Sequence, residues 1–557
     1  MSARRLRNTL AVPAAAVLAV PLALASSPAA AQETDASDLT VTYVESARWN
    51  SGYTGEITVH NASDTDLVDW TLEFDLPEGS AVHELWNASV TGSSDEGYTV
   101  TPPVWGAVVP AGGTYAFGFN GVHSDGTTHL SDCTINGANC AGTVSSGPGH
   151  DAMNVAYFTQ WGPQERDYHV RDLVESGSAG KLTHINYAFG NVGTDGECFM
   201  TDEPEEGDAL ADYGRVVPAS ESVDGAADGP GQPLRGNFNQ LRKLKELYPE
   251  LVVDISLGGW NWSKNFSDAA LTPESRERLV SSCVDLYLRG NLPEIDGTGG
   301  EGVAYGIFDG IDLDWEWPGS DGHPDNVVRP EDRENFTALV REFREQLDEL
   351  GEETGRHFEL SSFMPAGAWR LDTGYELDEV MADFDFVTVQ GYDYHGTWET
   401  VTNHQSNLVP DPNDPGDVIS AETNLQAYVE RGVDPAKIVL GVPFYGQGWT
   451  GVESGPNDDG LFQSAEGPAP GTYADGTEDW KVLKDLSGFE VHRDDDLGTA
   501  WLYDGETFWT YDDEVAMTQK TDWALENDLG GVMIWSIDGD DADGSLITAI
   551  DAALGGR

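Results

Sequence analysis

Lysine is nearly missing from this chain: eight lysines and 21 arginines face 97 acidic residues among 557, a formal net charge of −68. So little positive charge excludes a protein built to hold nucleic acid or an anionic membrane, because its own field repels both. The substrate to expect is neutral or cationic. Such acidity suits either a high-salt habitat, where cations screen self-repulsion, or an ordinary acidic exported protein, and composition leaves both open. Long apolar runs are missing too. The one apolar stretch, Leu10 to Ala25, spans roughly 16 residues and contains Pro13 and Pro21, short of the about 20 that a membrane helix needs. Placed behind Arg4, Arg5 and Arg7 and ahead of Ala29-Ala30-Ala31, it reads as an export signal ending at residue 31. The arginine pair hints at the twin-arginine route, but the residues after it fit that route poorly, so the export route stays open. Without residues 1–31 the chain is expected to be secreted and extracellular, its charge falling from −68 to −71 with the loss of three arginines.

Cysteine is scarce, at four. In an exported chain these suggest disulfides, with three possible connectivities. Cys133 and Cys140 fall in one block of the chain and Cys198 and Cys283 in another, and pairing within blocks is preferred. Apolar residues, by contrast, suffice: 39% of the chain, with 10% aromatic, excludes disorder through most of its length. The length calls for two to four folding units.

Residues 38–140 read as all-β. Short alternating segments (GEITVHN from Gly55, DWTLEFDLP from Asp69, TYAFGFNG from Thr114) are parted by Gly, Asn, Ser and Asp clusters, the pattern of an antiparallel sandwich. Residues 141–150, rich in Gly and Ser, read as a linker. From Met153 onward, apolar strands alternate with helical patterns. Phe336, Leu339, Val340, Phe343, Leu347 and Leu350 recur at helical spacing with Gly351 as a stop, and Thr272-Pro273-Glu274 opens another helix. Such units over residues 151–557 predict an α/β fold, a (β/α)8 TIM barrel, and residues 450–510 predict a small α+β insertion subdomain.

The chemistry concentrates in Asp309-Gly-Ile-Asp312-Leu-Asp314-Trp-Glu316-Trp-Pro. If the whole run is a strand, Asp312, Asp314 and Glu316 share one face at spacings of about 6.6–7 Å, and Ile311, Leu313, Trp315 and Trp317 take the other. Three carboxylates in a poorly solvated column cannot all ionise together, so at least one holds its proton near neutrality, as a general acid must. A solvated acidic loop is the bland alternative, and the apolar intervening positions argue against it. A divalent-metal site is the other, and it lacks the accompanying His or loop-carbonyl pattern. Neither metal nor cofactor is expected.

DGIDLDWEWP resembles the DGxDxDxE signature of family 18 glycoside hydrolases, the chitinase family. Ser256-Leu-Gly258-Gly259-Trp260 resembles that family's SxGG strand. Tyr392-Asp393 resembles its M-x-Y-D element, with Gln390 in place of Met. GVPFYGQGW resembles its G-x-P-x-YGR strand, with Gln447 in place of Arg, and Trp535 matches the last-strand Trp. The resemblance covers residues 151–557 and implies a set of roles. Glu316 protonates the glycosidic oxygen. The substrate's acetamido carbonyl, rather than a second carboxylate, attacks the anomeric carbon with net retention. Asp314 orients the acetamido N–H, and Asp312 shares a proton with it. Ser256 and Tyr157 support Asp312, Tyr392 holds the acetamido oxygen, and Asp393 contacts the sugar. Gln390 affects fine positioning and Gln447 receives no role. Trp535 is the expected floor beneath the sugar, with Trp260 and Trp398 at neighbouring subsites. Trp161, Trp262 and Trp449 stay undecided, and His395 is expected to be structural.

The first block resembles a family 2 carbohydrate-binding module, on RWNSGYTGEITVHN, DWTLEFDLP, HELWNASV, PPVWGAVVPAGGTYAFGFNG and CTINGANC. The resemblance implies a planar row of exposed Trp49, Trp86 and Trp105, with Trp70 in the core. The module's usual early Cys is missing, so its bridge would join Cys133 to Cys140. The expected partner is insoluble chitin, or cellulose through the module, bound by a monomer. An endo-β-N-acetylglucosaminidase is a rival that the insertion and the module disfavour. A non-catalytic lectin of the same fold is disfavoured by the intact Glu316, Asp314 and Tyr392. A cellulase reading rests on the module alone and fails on the barrel motif, because cellulose has no acetamido group to act as nucleophile.

Overall fold

In the computed structural model of the protein, the described residues run from 39 to 555, apart from short stretches within 50–140 and residues 146–151 and 417–418. Residues 1–31, expected to be an export signal, and Trp105, Cys140 and the side chain of Trp49 lie outside them. The chain divides between residues 148 and 149 into two compact units.

The smaller unit pairs two five-stranded sheets. One runs in the order Ala141–Ser145, Leu39–Trp49, Gly52–Asn61, Thr114–Val122, Ala81–Trp86; the other in the order Ala138–Asn139, Ser131–Ile135, Leu72–Asp75, Gly97–Thr101, Ser89–Ser93. Val41, Ile57, Val59, Trp70, Phe74, Val100, Phe117 and Phe119 form its core, because residues of alternating polarity turn one face of each strand inward. Trp70 is buried as expected, its indole N–H donating to the Gly106 carbonyl at 3.0 Å. The sandwich is not purely antiparallel, and the first half of the expected linker is a strand: Ala141–Ser145 pairs parallel to Leu39–Trp49. Thr143 and Val144 favour extended backbone and carry the strand despite Gly142 beside them.

The larger unit is built on eight parallel strands: Met153–Thr159, His184–Val192, Val252–Gly258, Gly310–Asp314, Glu359–Met364, Phe386–Val389, Ile438–Pro443 and Gly531–Trp535. Each pairs with the next, and the first pairs with the last, which closes a barrel. Helices follow the strands, among them Gly236–Leu247, Pro273–Cys283, Asp332–Thr354, Ala421–Val429 and Glu514–Glu526. Thr272 caps its helix as expected, accepting from Ser275 N–H. Gly351 does not stop its helix, which continues to Thr354 and ends where Gly355 takes a φ of 73°. An isolated helical glycine costs only about 1 kcal/mol, and the apolar face that packs on the barrel carries the helix past it. Between the seventh and eighth strands lies the insertion, a six-stranded sheet with a short helix spanning residues 445–511. Cys198 and Cys283 are bridged, and Cys133 is disulfide-bonded.

The fourth strand is shorter than its motif. It covers Gly310–Asp314 only. Ile311, Leu313 and Trp315 pack in the layer between strands and helices, as alternation requires. Trp317 does not join them; it lies in the interior cluster at the barrel mouth with Tyr157, Phe363, Tyr392 and Met533. Once the backbone leaves extended geometry after Asp314, the two-residue period no longer assigns faces.

Candidate active site

Asp312 and Asp314 point into the barrel interior, almost fully buried. Register places Asp312 beside Ser256 on one side and Ser361 on the other. Both hydroxyls donate to it, Ser256 at 2.7 Å to Oδ2 and Ser361 at 2.8 Å to Oδ1, and Tyr157 from the first strand donates to Oδ2 at 2.7 Å. Burial pushes the Asp312 carboxyl up, and these three hydroxyl donors pull against it. Asp314, one layer higher, is pushed well above the carboxylate range by burial first and by the Glu316 and Asp312 charges second. No hydrogen bond joins Asp312 to Asp314 among the described residues; the hydroxyls claim Asp312, and Asp314 Oδ1 is buried without a partner.

Glu316 stands just beyond the strand end, half-buried, at the floor of a cleft of about 1530 Å³. Its backbone is pinned at both ends: its N–H donates to Ser263 Oγ at 2.9 Å, and its carbonyl accepts from Asn326 Nδ2 at 2.7 Å. Burial raises its carboxyl from the ordinary 4.5 to about 8; Asp393 adds to the rise and Arg370 opposes it. The close approach of the third-strand turn needs glycine at position 258, where φ is 114° and a Cβ would lie 2.3 Å from the Asp314 carbonyl oxygen.

Tyr392 faces the carboxylates from the mouth of the sixth strand, buried between Phe363 and Tyr445 at ring-centroid distances of 6.3 and 6.1 Å. Burial, then the surrounding carboxylates, keeps its hydroxyl protonated far above neutrality. Asp393 adopts a left-handed φ of 55° that turns it into the cleft. Gln447, to which the sequence assigned nothing, holds it there by donating from Nε2 at 2.9 Å. Trp535 lies under the cleft, stacked on Phe189 at 5.8 Å and edge-on to Tyr157 at 5.2 Å. The peptide bonds Ala188–Phe189, Glu316–Trp317 and Trp535–Ser536, all at this mouth, are cis.

The cleft therefore gathers Tyr157, Asp314, Glu316, Gln390, Tyr392 and Asp393 with Trp260, Trp398 and Trp535. Ser256 and Asp312 lie beneath it. Trp260 and Trp398 are 49% and 63% exposed, as rim residues able to stack on a sugar must be. Trp161 and Trp262 also line the cleft, whereas Trp449 is fully buried, its indole N–H bonded to Glu399 O. His395 is buried and has acidic partners that the sequence did not reveal: Nδ1 lies 2.9 Å from Glu399, and Nε2 3.6 Å from Asp414. Sequence reasoning missed Ser361, Ser263, Trp369 and Arg370. Only the adjacency of the fourth and fifth strands could have signalled Ser361. In the smaller unit, Trp86 is 37% exposed and lies across Gly118, where a Cβ would meet the indole at 2.3 Å.

Residues 153–540 match the family described as Glycosyl hydrolases family 18, and residues 39–140 match the Cellulose binding domain. Chitinase C of Streptomyces lividans is 32% identical over 95% of this chain and 95% of its own. Chitinase 63 of Streptomyces plicatus is 32% identical over 97% and 98%. The catalytic domain of the psychrophilic chitinase B from Arthrobacter TAD20 superposes with a TM-score of 0.70 and 44% identity, covering 73% of this chain and 95% of that one.

Proposed function

From the premise that the chain belongs to family 18 of the glycosyl hydrolases and carries a cellulose-binding domain ahead of its barrel, we propose that it is a secreted, monomeric chitinase. It hydrolyses β-1,4 bonds between N-acetylglucosamine units with retention. The observation that carries the mechanism is the grouping of Glu316, Asp314 and Tyr392 in one cleft, where burial raises the Glu316 carboxyl towards the protonated form. Glu316 gives its proton to the glycosidic oxygen as the bond to the anomeric carbon breaks. The substrate's own acetamido carbonyl closes on that carbon, forming an oxazolinium ion. Asp314 accepts the acetamido N–H on a carboxyl oxygen, which it can do while still protonated, and Tyr392 holds the carbonyl oxygen in line for attack. Water then opens the ring, and the Glu316 carboxylate recovers the proton from it. Asp312, held by three hydroxyls beneath Asp314, acts on it through its charge, which favours the protonated form of Asp314. The N-terminal module raises the local concentration of enzyme on an insoluble polymer.

The test is the product profile and anomeric form released from chitin oligosaccharides, at low and at molar salt. Mostly disaccharide with initial retention is expected, and the salt response separates a halophilic enzyme from an ordinary acidic one. Initial inversion, or no cleavage at either salt with binding intact, overturns the reading.

A further inference from the structure

Cations are rare in this protein, and most are neutralised by acids. Arg370 is not. Among the described residues no carboxylate comes within ion-pair distance of it, although it lines a cleft rich in acids. Lys264, the other cation there, is paired with Asp325 at 3.7 Å. Arg370 sits on the short helix Ala368–Gly374 that follows the fifth strand. Its guanidinium lies over the indole of Trp369 at 4.7 Å and that of Trp317 at 5.7 Å. Its Nε is buried without an acceptor, and among the described residues its side chain has one hydrogen-bond partner, the Asp321 carbonyl, 3.5 Å from Nη2. Two aromatic faces thus hold a cation in place without discharging it, and one of them belongs to the residue that follows Glu316.

We propose that Arg370 is a positioning residue for the reaction: an unpaired cation held beside Glu316 to strengthen it as a proton donor. The groups facing Glu316 from each neighbouring element are Asp314 at the end of the fourth strand, Tyr392 and Asp393 at the sixth strand, Arg370 and Tyr375 from the helix after the fifth, and Lys264, His323 and Asp325 along the cleft. The negative groups and burial favour the protonated form, so the acid keeps its proton too tightly to release it readily. Arg370 acts in the opposite sense.

Kinetics of the full chain on a soluble chitin oligosaccharide, followed from pH 5 to 10, test this. Arg370→Met fills the space between the indoles without charge. It should move the alkaline limb of the profile upward by about half a pH unit or more and lower the plateau kcat by roughly three- to tenfold. Arg370→Lys should bring the limb back towards the parent's. If Arg370→Met does not fold, Arg370→Gln makes the same neutral comparison. A limb that stays at the parent's pH in the neutral variant, with activity lowered equally at every pH, overturns the proposal and leaves Arg370 as packing for Trp369. So does a Lys variant that behaves like the neutral one. The proposal rests on Glu316 as the acid, and the two fail differently: a parent that cannot cleave the oligosaccharide refutes that reading, whereas an active parent with an immovable limb refutes only the role of Arg370.

Discussion

Replacing Glu316 by glutamine should stabilise the protein at alkaline pH while it destroys the chemistry. In the folded protein this carboxyl keeps its proton to about pH 8, whereas an unfolded chain releases it near the ordinary 4.5. Between those values the folded state binds more protons than the unfolded one, so stability falls as pH rises from about 4.5 to about 8 and levels off beyond. Moving one carboxyl that far corresponds to roughly 5 kcal/mol, at about 1.4 kcal/mol for each tenfold in proton affinity. Glu316 is only half-buried, and the hydrated side of its carboxylate discounts that figure, leaving roughly 2 to 4 kcal/mol. Glutamine has nearly the same shape and no charge to bury. Thermal melting of Glu316→Gln and parent, followed over pH 5–9, should show a gain of a few degrees at pH 9 and almost none at pH 5, where the native carboxyl is already neutral. An equal gain at both pH values would assign the effect to packing. No gain at pH 9 would mean that the carboxyl is not held protonated at all, and the argument for it as the acid would go with it.

Three further outcomes are expected. Trp86→Ala should weaken retention on solid chitin or cellulose and leave hydrolysis of soluble oligosaccharides unchanged; equal losses on both would give that indole a core role. Ser361→Ala removes one of the three hydroxyls on Asp312, and urea unfolding at pH 8 should show a loss of about 1.5–3 kcal/mol; a loss below about 0.5 kcal/mol would make that hydroxyl a spectator. The Cys198–Cys283 bridge closes a separation of 85 residues, so the double Ser variant should lose roughly 4 kcal/mol. An unchanged unfolding midpoint would show that helix packing alone holds that corner of the barrel.

Much of the site was legible because it depends on local order. Two-residue alternation placed Asp312 and Asp314 inward and Ile311, Leu313 and Trp315 outward, and cap chemistry marked the helix at Pro273. What the sequence hid depends on contacts between strands far apart in the chain. Ser361 reaches Asp312 across 49 residues and Gln447 reaches Asp393 across 54. No periodicity within either segment announces such a partner. Arg370 was hidden for a related reason: its neighbours Trp317 and Glu316 come from a different strand mouth, and a lone Arg on a short helix looks like ordinary surface.

The failure at Trp317 is the most informative, because it shows where the chemistry separates from the scaffold. Through Asp314 the strand obeys register, and each carboxylate inherits an environment from its neighbours: Asp312 takes three hydroxyls because Ser256, Ser361 and Tyr157 lie level with it. A Glu316 still in the strand would be one more member of the column. Instead the chain leaves the sheet after Asp314. Trp317 turns in towards Phe363, at 5.5 Å between rings, and the Glu316 backbone is tied to Ser263 and Asn326. That departure carries the acid out from under the hydroxyl donors that pull Asp312 down, into a place where burial and Asp393 hold its proton and the cleft lets substrate reach it. Two carboxyls four residues apart thus receive opposite duties, one anchored by donors and the other left free to give up a proton.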